Sequence, residues 1–211
     1  MGPRAYPNTP PVGWAGMPLE HAVVMGNPLA SLGPFEGDPP PRCVCDTVAR
    51  EPGYAETVLA QWERRGDTLS ARLSRTAIAF RRGDRTALRQ LASVFAGHSY
   101  LYVPVSLTFA QAGEAAARLG GHVVTTARRD EHDFVLGLLP YAEAVWLGID
   151  VTTLPIQWRT GESITFERFP NSHERTLPMP KHLHNYSRND ANWYAARDDE
   201  ATAGLVIEWE D

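Results

Sequence analysis

The chain has 211 residues, 43% hydrophobic and 21% charged, an ordinary globular balance and enough length for one good-sized domain with appendages or two small ones. A formal net charge of −5 at pH 7 argues against general nucleic-acid binding, which needs a basic surface to displace counterions. No apolar run is long enough for a membrane span, and the first residues have neither a charged-then-apolar signal layout nor a myristoylation pattern, so the cytoplasm is the default expectation.

Residues 1–53 read as an extended arm. Pro3, Pro7, Pro10, Pro11, Pro18, Pro28, Pro34 and the run Pro39-Pro40-Pro41 preclude long helices and central strands. Trp14, Met17, Leu19, Val23, Val24 and Phe35 make the arm too apolar for a solvated tail, so it is expected to lie over a globular body or a partner subunit. Cys43 and Cys45 are too close in sequence for an unstrained disulfide and too few to close a zinc site, so they read as free thiols. The rest of the chain has no cysteine, which points to a reducing compartment.

Residues 54–96 carry a helical period: Val58, Leu59, Trp62, then Leu69, Leu73, Thr76, Phe80, then Leu88, Leu91, Phe95. Arg64-Arg65-Gly66-Asp67 is echoed by Arg81-Arg82-Gly83-Asp84. Arginines suit a last helical turn, Gly ends it and Asp caps the next, so the echo predicts three short helices with two junctions. That grammar accounts for every residue and leaves no need for an Arg-Gly-Asp recognition role. Arg72, Arg75, Arg85 and Arg89 read as a solvated face, since no aromatic residues interleave with them.

Residues 97–211 alternate short strands, helices and a long irregular segment. Tyr100-Leu101-Tyr102-Val103 reads as a strand. Ser106 or Thr108 can cap a helix whose inward face is Phe109, Ala112, Ala116 and Leu119, ended by Gly120-Gly121. His122-Val123-Val124-Thr125 follows as a strand. A second helix begins at Arg129, with Phe134, Val135 and Leu138 expected to be buried. Ala144-Val145-Trp146-Leu147-Gly148-Ile149 is a near-continuous apolar run fit for a strand buried on both faces, with Gly148 allowing close backbone approach.

In this order, with Trp158, Gly161-Glu162, Asn192-Trp193-Tyr194-Ala195 and the closing Gly204-Leu205-Val206-Ile207-Glu208-Trp209-Glu210, the segments resemble a C-type lectin-like domain. The resemblance implies an α+β fold of mixed antiparallel sheets, two helices and a long loop, preceded by the short helical segment and the Pro-rich arm. The expected boundaries are 1–53, 54–96 and 97–211. Ala116 and Ile207 stand where the family has the two cysteines of its long disulfide, and an apolar pair there can stabilise the core by packing. A cysteine-poor domain of this kind behind a helical segment resembles bacterial multi-part versions.

Sugar-binding members of the family hold calcium with a Glu-Pro-Asn or Gln-Pro-Asp motif plus the Asn and Asp of Trp-Asn-Asp, a set of oxygen ligands suited to a hard cation. Here the first reads Phe169-Pro170-Asn171 and the second Trp193-Tyr194-Ala195, so no cofactor is expected, and calcium enters only if ligands are rebuilt from neighbours such as Asn189, Asp190 or Asp198-Asp199-Glu200. Those last three read more simply as a solvated loop. His182-Leu183-His184 has metal-compatible spacing but no clear third ligand, so no metal site is expected.

The long segment is the family's common binding surface and is polar and aromatic here, which nominates His173, Glu174, His182, His184, Asn185, Arg188, Asn192, Trp193 and Tyr194 as ligand-binding residues. No catalytic residue is expected. The formylglycine-generating enzymes share a related fold but use cysteines that this domain lacks, and Asp130-Glu131 and Glu208-Glu210 read as a helix start and a strand end. The resulting expectation is a non-enzymatic recognition module for a protein or glycan. The alternatives are a calcium-dependent lectin with rebuilt ligands, and an assembly protein that oligomerises through the arm and helices and displays the domain.

Overall fold

Each copy of the Arg-Arg-Gly-Asp echo closes one helix and opens the next. The computed structural model of the chain describes residues 53–140, 144–150, 156–169, 182–186, 191–197, 199–202 and 204–210. Within these, helix α1 spans Tyr54–Arg65, α2 Thr68–Arg82 and α3 Arg85–Leu91. Gly66 lies in the left-handed region at φ 73°, and its amide reaches the Glu63 carbonyl at 3.0 Å while the Asp67 amide reaches that of Trp62 at 3.1 Å. Gly83 repeats the arrangement at φ 67°, with the Gly83 amide on Phe80 at 3.0 Å and the Asp84 amide on Ala79 at 2.9 Å. These paired bonds satisfy terminal carbonyls that would otherwise have no partner. Each aspartate then caps the next helix: Asp67 accepts from the Ser70 amide at 2.9 Å, Asp84 from that of Ala87 at 3.0 Å.

By internal contacts the chain divides into two units, Met1–Ser74 and Arg75–Asp211, so the division falls inside α2. In the first unit, Val58, Trp62 and Ala71 form a buried cluster with Leu59 packed against it. Ala79 and Leu88 belong to the main buried cluster of the second unit, because the apolar stripe of these helices has to be covered.

The helical period through Phe95 is broken in the structure. Ala92 turns extended, and Ser93–Phe95 forms strand β1, paired with strand β2, His98–Val103, in the register Phe95↔His98. Ala96 and Gly97 both have positive φ, 53° and 92°, the geometry of a two-residue hairpin turn. Tertiary pairing thus overrides a helical spacing that Leu88, Leu91 and Phe95 satisfy by coincidence.

Strand β2 pairs on its other edge with the closing strand, Leu205–Glu210, which also pairs with His122–Val123. Numbered in chain order, the remaining elements are β3 Leu107–Thr108, α4 Phe109–Arg118, β4 His122–Val123, α5 Arg129–Leu138, β5 Ala144–Trp146, β6 Ile149–Asp150, β7 Gln157–Trp158, β8 His182–Tyr186, β9 Trp193–Ala196, β10 Ala201–Thr202 and β11 Leu205–Glu210. Among the described residues the main sheet has the order β1-β2-β11-β4, a second has β5-β8-β9, and β3 with β10 and β6 with β7 make two small ribbons.

One face of the main sheet, carrying Leu101, Val103, Leu205, Ile207 and Trp209, shares a buried core with Phe109, Ala112, Ala115, Ala116 and Leu119 of α4 and its C-cap. Thr108 caps α4 in a capping box with Gln111. Ala116 and Ile207 are wholly buried in this core, where the resemblance places the cysteines of other members. Gly148 sits so close to β4 that an added Cβ would lie 2.5 Å from the Val123 carbonyl oxygen. In α5, Val135 is buried as expected, but Phe134 and Leu138 are only half-buried, and His132 and Leu136 take the inner positions. Phe134 instead stacks on Phe95 at 4.7 Å and meets Tyr100 edge-on at 5.4 Å, serving the opposite face of the sheet. No helix among the described residues is long and apolar enough to cross a membrane.

Candidate functional site

Four aromatic residues, Trp158, Phe166, Phe169 and Trp193, form a cluster of rings. Trp193 is wholly buried at its centre, edge-on to Trp158 at 5.5 Å, Phe166 at 6.1 Å and Phe169 at 5.4 Å, with the His132 imidazole 6.2 Å away. Edge-to-face pairs of this kind add to the stabilisation from burial itself. Polar bonds close the base. The Trp193 amide donates to the Arg168 carbonyl at 2.8 Å. His132 Nε2 lies 3.1 Å from the Ala191 carbonyl oxygen, which also accepts from Arg168 Nε at 3.4 Å. A carbonyl only accepts, so Nε2 carries the ring proton. Burial pushes the His132 pKa down, since a charged ring would be poorly solvated there.

Strand β8 lies between β5 and β9, where the backbone register pairs His182 with Ala196, His184 with Trp146 and Tyr194, and Asn185 with Val145 and Trp193. The structure therefore brings His182, His184, Asn185, Trp193 and Tyr194 into one sheet, with Asn192 just ahead of it. Asn192 and Tyr194 are half-buried at its margin. Trp193, nominated as a ligand-binding side chain, has no exposed surface. His173, Glu174 and Arg188 lie outside the described residues. Asp199 and Glu200 are exposed, Asp199 bonded to Arg197 Nε at 3.0 Å, as suits a solvated loop.

A second group of polar side chains lies on the α5-facing side of the main sheet. Glu208 is wholly buried. Its Oε2 accepts from the Thr125 amide at 2.8 Å and hydroxyl at 3.0 Å, and its Oε1 lies 2.6 Å from His98 Nδ1. That hydrogen bond raises the His98 pKa above its ordinary value, against the lowering effect of burial. Tyr100 donates to Glu131 Oε1 at 2.6 Å. Burial first, then this bond to Glu131, pushes the Tyr100 phenol far up, and burial likewise raises the Glu131 carboxyl. His98, Glu208 and Glu210 present ligand-type atoms within 4.8 Å of one another. Reading Glu208-Glu210 only as a strand end missed this group. The available signal was the strand period, which puts residues 208 and 210 on one face.

No protein-family model matches the sequence. No curated protein matches it either. Solved structures do match the fold. The C-type carbohydrate-recognition domain of cow CD23, solved in the presence of a GlcNAc2Man3 oligosaccharide, superposes with a TM-score of 0.50 at 15% identity, over 57% of this chain and 93% of that one. The C-type lectin CEL-I from Cucumaria echinata does so with a TM-score of 0.50 at 11% identity, over 57% and 96%. A calcium-independent type II antifreeze protein gives a TM-score of 0.50 at 12% identity, over 56% and 91%. At such identities the likeness speaks to fold alone. With helices α4 and α5 and the sheet closed by β2 and β11, this chain has the C-type lectin-like fold.

Proposed function

We propose that the lectin-like part of this chain is a non-enzymatic recognition module that binds a protein or glycan through the long segment between Phe169 and Asn192, without the usual calcium cage. The observation that carries this reading is the braced base. The Trp193 amide on the Arg168 carbonyl at 2.8 Å, and the shared Ala191 carbonyl, tie the two ends of the segment over the aromatic cluster. A polar segment held at both ends by a rigid scaffold is a suitable binding surface, because less ordering entropy is lost on association. Tyr194 and Ala195 after Trp193 supply no carboxylate or amide, which removes side-chain ligands a calcium ion would need.

The test is a glycan array probed with the full chain in EDTA and again in calcium, beside the double variant His184→Ala/Arg188→Ala. Binding in EDTA that the double variant loses supports the reading. Binding only with calcium moves the protein to the rebuilt-cage alternative, and binding that the double variant keeps removes the long segment. No binding under either condition removes glycans and leaves a protein ligand.

A further inference from the structure

Residues 75–91 carry five arginines, Arg75, Arg81, Arg82, Arg85 and Arg89, against one carboxylate, Asp84, in a chain whose formal net charge is −5. Asp84 is already engaged as the N-cap of α3, where it accepts from the Ala87 amide at 3.0 Å. Helix α3 is fixed to the domain by Leu88, wholly buried in the main core, with Ala87 and Leu91 packed against the same cluster. The 3.6-residue period then sets Arg85 and Arg89, four apart, side by side along one flank of the helix. It puts Thr86 and Gln90 on the face away from Leu88.

Like charges four apart on a helix repel, yet the fold seats both of these guanidinium groups on one platform. Arg89 lies over the Trp209 ring, 5.5 Å from its centroid, a cation–π contact. Trp209 is itself buried, and its indole N–H donates to the Leu119 carbonyl at 3.1 Å. Arg85 lies over the next residue, Gly120, so closely that a Cβ there would collide with the guanidinium. The two cations thus rest on adjoining parts of the α4 terminus and β11. Among the described residues Arg85 has no ion-pair partner. Arg85, Thr86, Arg89 and Gln90 line an open cavity of about 450 Å³, a size within the usual range for small-molecule sites.

We propose that Arg85 and Arg89 bind a tetrahedral oxyanion, the phosphate or sulfate group of a small ester, with Thr86 and Gln90 adding neutral donors. Each of these four side chains can donate, and none carries negative charge. A guanidinium presents its donors as a planar fork that matches an oxyanion, and two forks on adjoining supports can share the oxygens of one tetrahedral group. A bound anion would also remove the repulsion between the two arginines. Their contacts with Trp209 and Gly120 restrict the side chains beforehand, so less freedom is lost on binding. The expectation of a solvated face holds for the exposure of both residues, but a merely solvated pair requires no such platform. The site shares no residue with the long segment, so it stands independently of the recognition reading.

The test is titration of the full chain with glucose 6-phosphate and glucose 6-sulfate at fixed ionic strength, followed through the arginine Nε–H resonances, with acetate as a planar anion for comparison. Saturable shifts centred on Arg85 and Arg89 are expected in the parent, a readout that does not depend on how any variant folds. Arg85→Gln and Arg89→Gln should each weaken binding by roughly 10-fold or more, since each removes charge-assisted hydrogen bonds. Arg85→Lys should weaken it as well, because an ammonium keeps the charge and lacks the fork. Arg81→Gln, in the last turn of α2, should leave it unchanged. Whichever ester binds more tightly names the source of the group. No saturable binding of either ester overturns the proposal. So does equal affinity for acetate, equal weakening by Arg81→Gln, or unchanged affinity in both Arg85→Gln and Arg89→Gln.

Discussion

Thr125 meets Glu208 twice: its amide donates to Oε2 at 2.8 Å and its hydroxyl donates to the same oxygen at 3.0 Å, inside the protein and 83 residues apart in sequence. A buried carboxylate persists only when its lone pairs are occupied, so the segment just after β4 is joined to the closing strand β11 by these bonds, in addition to the β4–β11 ladder. Thr125→Val keeps the shape and removes one donor, and should cost about 1.5–3 kcal/mol, the worth of a hydrogen bond to a charged group. Glu208→Ala also strands the Thr125 amide and should cost about 3–5 kcal/mol, as when one partner of a buried pair is removed. Urea denaturation measures both. Equal stability of the parent and Glu208→Ala would mean that this network contributes nothing to the fold.

The two Arg-Gly-Asp junctions should behave as caps. Asp67→Ala and Asp84→Ala are each expected to cost about 1 kcal/mol, the usual worth of an N-cap. Gly66→Ala and Gly83→Ala, forced into left-handed backbone, should cost about 1–2 kcal/mol. The check is the urea midpoint at constant slope. Unchanged midpoints in all four variants would reopen a recognition role for the motif.

His132 gives the aromatic base a pH response. Burial lowers its pKa in the folded protein below the unfolded value of about 6.5. As pH falls through that value the unfolded chain takes up a proton that the folded ring resists. Stability therefore declines below about pH 6.5 until the lowered folded pKa is passed. His98, with a raised pKa, works in the opposite sense: its contribution is full below about pH 6.5 and is lost as pH rises through the folded value. His132→Phe keeps a ring beside Trp193 and removes the titration. Relative to this variant, the parent should lose stability between pH 7.5 and 5.5, as read by chemical denaturation at both values, and parallel curves would exclude the effect.

Core packing at the cysteine-replacing pair is directly measurable. Ile207→Ala empties space in a fully buried position and should cost about 2–5 kcal/mol. Gly148→Ala pushes a methyl against the Val123 carbonyl oxygen, and overpacking of that kind typically costs about 1–3 kcal/mol. Thermal unfolding of both variants provides the comparison. If Ile207→Ala melts with the parent, packing at this position contributes nothing to the core.

Sequence alone determined what depends on neighbours a few residues away. The Gly66 and Gly83 ends, the Asp67 and Asp84 caps, the Thr108 cap and the inward face of α4 follow from backbone preferences and a 3.6-residue period, and the structure has all of them. The ordered landmarks around Trp146, Trp158 and Trp193 likewise made the lectin-like fold legible, because apolar strands and their flanking turns leave a local trace. Phe95 escaped this logic, since its helical spacing lost to a pairing with His98 that no local window contains. Trp193 was nominated as a ligand-binding residue, and only the rings contributed by residues 158, 166 and 169 show it as the centre of a buried cluster.

Only the tertiary structure could decide the fate of Glu208. Its partners Thr125 and His98 lie 83 and 110 residues away, and nothing in a strand of alternating residues says which side chains the neighbouring strands will set beside it. Register did that. By pairing β11 with β2 on one edge and β4 on the other, it converted two glutamates at a chain end and two separate histidines into one constellation.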